Sequence, residues 1–303
     1  MSTADVAAGQ ASGAGGAGRV SEQLASVLHW LRLLRSELSL TFRRKRNLAL
    51  LAVLAAVPVL LGLVLRFSSG GGGGGGGNGN PPAFLNQVTG NGVFLAFLTL
   101  AVESTLVLPL VVAVVAGDSI AGEANRGTLR YLLAVPAGRT RLLGIKLAAT
   151  VAFCVAACLL VSVVAVVVGA ILFPIGPVTL LSGIPVSLGA GLLRLLFVAL
   201  YLAAAMAALG AIGLAISTFT EHPIGAIAAV LVIAVASQVM DTVSQLDVIH
   251  PYLPTHWWLS FDSLLRSPVA WPELGHGLLS FAVYIVIFCS VAWARFTTAD
   301  VTS

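Results

Sequence analysis

NLALLAVLAAVPVLLGLVLR, residues 47–66, holds a single charged residue, Arg66, at its last position. Twenty residues rising about 1.5 Å each cover about 30 Å, the thickness of a bilayer's hydrocarbon core. Five further runs have the same character, at residues 93–117, 147–173, 192–216, 224–240 and 277–294. Of the 303 residues 58% are hydrophobic and 9% charged, far from the composition of a soluble domain. The predicted fold class is an all-α integral membrane protein with six transmembrane helices, occupying about residues 47–296. The first run starts too late for a secretory signal peptide, and no small-residue cleavage site follows it.

Charge placement sets the expected topology. Arg19, Arg32, Arg35, Arg43, Arg44, Lys45 and Arg46 precede the first run, Arg126, Arg130, Arg139, Arg141 and Lys146 lie between the second and third, and Arg295 follows the last. Arg66, Arg194 and Arg266 remain for the opposite face. Lys and Arg concentrate in cytoplasmic loops, so both termini are expected in the cytoplasm, N-in and C-in. The net charge of +4 is then a property of those loops and points to no nucleic acid partner.

The flanks differ from the core. Residues 1–20 are rich in Gly, Ala and Ser without apolar periodicity and read as a disordered tail; residues 297–303 form a short C-terminal tail. Within residues 21–46, Leu24, Val27, Leu28, Leu31, Leu34 and Leu38 recur at three- and four-residue steps, with Glu22, Gln23, Arg32 and Glu37 on the other side. That pattern predicts an amphipathic helix at the cytoplasmic interface, in contact with membrane lipid. The glycine run after residue 69 is followed by Asn78, Gly79, Asn80 and two prolines, where a phosphate loop would need Lys and Ser/Thr. It reads as a flexible linker.

No metalloprotease, serine-hydrolase, C-x-x-C or Walker motif occurs in the chain. The chain is therefore expected not to be an enzyme and to carry no cofactor. Cys154, Cys158 and Cys289 read as small buried apolar residues. His250, His256, Asp262 and His276 match no zinc spacing, while Tyr252, Trp257, Trp258 and Phe261 around them read as an aromatic belt at head-group depth. Glu103 stands out. A carboxyl near the middle of an apolar span costs about 2.5–3.5 kcal/mol, so it is expected to face the bundle interior or a translocation path. Ala203, Ala207, Gly210 and Gly213 are spaced for close helix approach, within a bundle or at a subunit interface.

Between the second and third spans lies AGEANRGTLRYLLAVPAGRTRLLGIK, residues 121–146. Asp118 and Ser119 can cap a new helix and Pro136 can stop it, giving a short amphipathic helix at about 119–135. Gly127 inside that helix suggests close approach of something to the backbone.

Gly122, Glu123, Gly127, Thr128, Leu129, Arg130, Leu132, Leu133, Pro136, Arg139 and Lys146 resemble the cytoplasmic motif of ABC-2 type transporter permeases. Six spans, an amphipathic helix ahead of them and Pro109 in the second span fit the same family. The resemblance implies the membrane subunit of an ATP-driven exporter in the plasma (inner) membrane. Two permease chains, identical or different, would pair with separate ATPase subunits that hold ATP and Mg. The 119–135 segment would be the coupling helix, contacting the ATPase through Glu123, Arg126, Gly127, Thr128, Arg130 and Leu133. Residues 24–38 would be the connecting helix, and Glu103 would lie in or near the translocation path. Two other readings remain. One is an ion-gradient-driven secondary transporter using Glu103 as proton carrier. The other is an intramembrane enzyme using Glu103 and the outer histidines, for which Arg194 is the one further catalytic candidate.

Overall fold

The computed structural model describes residues 32–70, 91–125, 127, 139–180 and 182–298. The expected N-terminal tail, the first half of the amphipathic segment and most of the glycine run lie outside the described residues. Within them, helix α1 spans residues 32–43 and α2 spans Lys45–Gly70; α3 (Phe94–Thr105) and α4 (Val107–Asn125) follow. Next come α5 (Arg139–Leu172), a two-stranded antiparallel hairpin of β1 (Val178–Thr179) and β2 (Pro185–Val186), and α6 (Leu188–Ser217). Helix α7 spans Pro223–Asp241, three short 3-10 turns occupy the stretch 244–265, and α8 spans Trp271–Thr298. Six of these helices, α2, α4, α5, α6, α7 and α8, are long and apolar enough to cross a membrane. The chain is an all-α membrane protein.

Helix α6 is the axis of the bundle. Its small residues bring neighbours close: a Cβ on Gly210 would meet Thr150 Cγ2 of α5 at 2.7 Å, and one on Gly213 would meet Ala116 Cβ of α4 at 2.8 Å. Ala203 and Ala207 are buried as well, so the small-residue stripe serves packing within this chain. By contrast α2 buries only the narrow apolar stripe Leu54, Pro58, Gly62 and Leu65, with Leu50, Leu51 and Leu61 half-buried beside it, and much of its remaining apolar surface is exposed. Exposed Leu60, Val64 and Phe67 are what a lipid-facing helix presents.

The second span is longer than expected and broken. Its two halves meet at Leu106, whose φ of −141° and ψ of −49° leave the helical region. The cause lies three residues on. Pro109 has no N–H for the carbonyl of Thr105, which would be its helical partner. Gln238 Nε2 of α7 donates to that carbonyl at 2.8 Å, so a neighbouring helix satisfies the group that the proline releases. The start of α3 is fixed by backbone contact. A Cβ on Gly92 would meet Gly169 O at 2.2 Å, and one on Gly169 would meet Gly92 O at 2.1 Å.

The segment between α7 and α8 folds back onto its end of the bundle. Trp258 and Phe261 are only 3% and 4% exposed and join the core, whereas Tyr252 is 75% exposed. The expected aromatic belt is thus corrected for Trp258 and Phe261: their rings fill space between helices. Arg194 Nη1 donates to the carbonyls of Leu264 and Arg266, and Tyr201 Oη donates to the carbonyl of Trp257 at 2.8 Å.

Candidate functional site: a buried ion cluster at the basic end

The basic end of the bundle gathers α1, α4, α5 and the tip of α6. Along α1, the half-buried positions 33, 34, 37, 38, 41 and 42 form a stripe at helical spacing. Its apolar members pack inward, with the Phe42 and Phe153 rings 5.8 Å apart. Glu37 lies on that same inward stripe. The expectation that it faces away is corrected, because Lys146 of α5 draws it in: Lys146 Nζ lies 3.3 Å from Glu37 Oε2.

Lys146 also donates to Glu123 Oε1 of α4. The two side chains are 5% and 9% exposed. One ammonium thus joins three helices through two carboxylates. Ion pairs at such burial persist only when both members stay, since an unpaired charge there is strongly unfavourable. Glu123 therefore faces the bundle at this end.

Asp118 differs from expectation too. Helix α4 runs unbroken from Val107 to Asn125, so Asp118 and Ser119 sit inside it and do not begin a new helix. Asp118 Oδ2 instead accepts from Arg44 Nη1 at 2.9 Å and Arg46 Nη2 at 2.8 Å. These bonds tie the α1–α2 junction to α4. Gly122 keeps the carboxylate in place, for a Cβ there would come within 2.2 Å of Asp118 Oδ1. At the tip of α6, Ser217 Oγ accepts from the Ile120 and Ala121 amides at 3.1 and 2.8 Å and donates to Gly117 O at 2.9 Å.

The helix ends where the motif's second glycine begins. Gly127 has φ +70°, its N–H donates to Ala124 O at 2.9 Å, and a Cβ on it would meet nothing within 4 Å. A left-handed glycine closing a helix is a C-terminal cap. Gly127 is thus needed for its backbone angle, which corrects its placement inside a continuous helix over 119–135. Arg126, Thr128, Arg130 and Leu133 lie outside the described residues. The opening and closing positions of the motif, Gly122, Glu123 and Lys146, come together in the ion cluster.

Glu103 lies elsewhere, on the inward side of α3. It is 0% exposed, and neither carboxyl oxygen has a hydrogen-bond partner among the described residues. Cys154 and Cys158 are buried free thiols on α5. In the folded-back segment, His256 Nδ1 pairs with Asp241 Oδ1 at 2.5 Å, and His250 Nδ1 lies 3.5 Å from Asp247 Oδ1. Among the described residues no three His, Cys, Asp or Glu side chains are grouped to hold a metal ion.

Several of these partners escape the sequence. Glu37, Asp118 and Ser217 carry no local signal for their bonds, because each partner is contributed by another helix. No curated protein matches the chain. Residues 41–237, which include α2 to α6 and most of α7, match the family described as ABC-2 family transporter protein. With six apolar helices long enough to span a bilayer, the chain belongs to that family and is an ABC transporter permease, a multi-pass membrane protein.

Proposed function

We propose that the chain is the membrane half of an ATP-driven exporter, without a nucleotide site of its own, whose energy comes from a separate ATPase docked at the basic end. The observation that carries this reading is the Lys146 cluster, which binds α1, α4 and α5 into one unit beside the segment that follows Asn125. A partner pressing on Arg126, Gly127, Thr128, Arg130 and Leu133 would act on α4 directly, and through Glu123 and Lys146 on α5 and α1. ATP and Mg would be held by that partner. Closure of the ATPase shifts the permease between two states because it binds them unequally. The transporter would hold two permease chains, with both termini cytoplasmic and the folded-back segment on the outside of the plasma membrane.

The test is the ATPase rate of the reconstituted complex. Arg130→Glu should leave the permease folded and inserted, yet lower partner binding or ATPase stimulation at least tenfold, as reversal of an interfacial charge does. Unaltered coupling in that variant, or a purified complex that lacks any cassette ATPase, would overturn the proposal. Glu103, buried with no hydrogen-bond partner among the described residues, favours a second reading, transport driven by an ion gradient. Flux that follows an imposed pH gradient without ATP and vanishes in Glu103→Gln would establish it.

A further inference from the structure

The face of α1 that turns away from the bundle carries charge of one sign. Residues 32, 35, 36, 39, 40 and 43 are exposed and recur at steps of three and one, which sets them on one side of the helix, opposite the inward stripe. That side holds Arg32, Arg35 and Arg43, and exposed Lys45 follows at the start of α2. Residues 32–46 contain a single carboxylate, Glu37, and it is turned inward onto Lys146. Asp118 of α4, which reaches the same junction, is taken by Arg44 and Arg46. Among the described residues, Arg32, Arg35, Arg43 and Lys45 are left without an ion-pair partner.

What covers these cations is indicated by α2. Lys45 opens the first membrane span, Lys45–Ser68. From Lys45 the exposed side of α2 continues at helical steps through Leu48, Val53, Leu60, Val64 and Phe67, the lipid-facing surface of that helix. The cation therefore stands at the foot of a stripe that acyl chains cover. A charged side chain is costly in hydrocarbon, so Lys45 marks the edge of the apolar layer and its ammonium lies at head-group depth. Arg43 is two residues away, a Cα separation of at most about 7 Å, within which two long side chains can reach one phosphate. Leu40, on the basic side of α1, is 52% exposed, as an apolar side chain dipping past the head groups would be.

We propose that Arg43 and Lys45, continued along α1 by Arg35, bind the phosphate of an anionic phospholipid whose acyl chains lie on the exposed stripe of α2. An arginine guanidinium matches two phosphate oxygens and a lysine ammonium adds charge beside it. A zwitterionic head group offsets its phosphate with its own ammonium, so the site selects for net charge. Arg44 and Arg46 alternate with the lipid-binding pair and hold Asp118, so a bound lipid braces the junction that ties α1 and α2 to α4. The proposal rests on α2 crossing the membrane and is independent of the ATPase and of the direction of transport.

The experiment counts lipids on the detergent-solubilised full chain by native mass spectrometry, titrating phosphatidylglycerol and phosphatidylcholine of equal chain length. The first phosphatidylglycerol should bind more tightly than the first phosphatidylcholine. Arg43→Gln with Lys45→Gln should weaken that phosphatidylglycerol about thirtyfold, about fivefold for each charge, and leave phosphatidylcholine unchanged. Neither side chain bonds to another described residue, so the thermal midpoint should stay in place; should the double variant unfold, Lys45→Gln alone carries the test at about fivefold. Arg43→Lys, which keeps the charge, should retain binding, and Arg66→Gln, at the other end of α2, should leave it unaltered. Equal affinity for the two lipids, undiminished phosphatidylglycerol binding in the folded glutamine variants, or an equal loss in Arg66→Gln would overturn the proposal. A double variant that keeps its phosphatidylglycerol and loses a protein partner in pull-down would give the face to an acidic protein surface, and would overturn it as well.

Discussion

Lys146→Met tests whether the ion cluster holds the basic end together. Lys146 is 5% exposed at its side chain, Glu123 9% and Glu37 16%, so removing the ammonium leaves two carboxylates close together in a site with little water. Breaking a buried pair from one side costs about 3–5 kcal/mol. Glu37 keeps some solvent access, and methionine replaces most of the lost packing, which places the expected cost near the lower end, ~3 kcal/mol. At about 2–4 °C per kcal/mol, the unfolding midpoint in nanodiscs should fall by roughly 6–12 °C. The double variant Lys146→Met, Glu123→Gln removes one of the two carboxylates that Lys146 faced and should recover about half of that loss, because contacting residues are not additive. A single variant as stable as the wild type, or a double variant as unstable as the two single losses added together, would show that the cluster contributes nothing beyond packing.

Other expectations follow from close contacts of the same kind. Gln238→Leu leaves the Thr105 carbonyl without its donor, which should cost about 1–3 kcal/mol; Gln238→Glu, with no N–H to donate, should behave alike, and a thermal midpoint unchanged in both would refute this account of the break. Gly92→Ala forces a methyl against Gly169 O and should destabilise the fold more than Gly144→Ala, where a Cβ meets nothing within 4 Å. Comparing the detergent stability of that pair checks it, with equal losses counting against the backbone contact.

The spans were legible because a bilayer demands a contiguous apolar run, and contiguity is a property of the sequence alone. The break at Leu106 was not, although Pro109 is visible: a proline tells which carbonyl is freed, and only the fold tells that Gln238, far along the chain, receives it. Charge was misread for a related reason. On α1 the rule that charged residues face outward put Glu37 on the wrong side, because the rule omits an inward charge met by its counter-ion. Asp118 and Ser119 are good capping residues, yet nothing in the local sequence stops α4 before Gly127. Trp258 and Phe261 show the same limit, for an aromatic-rich loop reads alike whether it floats at the interface or plugs the bundle.

Helix α4 links the two ends. Its 19 residues span about 28 Å as one uninterrupted rod. At the basic end Asp118, Glu123 and the amides on Ser217 hold it to α1, α2, α5 and α6. At the other end it meets α3 at Leu106, where Gln238 of α7 donates to the Thr105 carbonyl of α3. Between those ends α4 is packed along its length: Leu108, Val111, Val112 and Ile120 are buried, Gly117 lies against Ile227 of α7, and Gly213 of α6 lies against Ala116, so α4 shares its position with the helices on both sides of it.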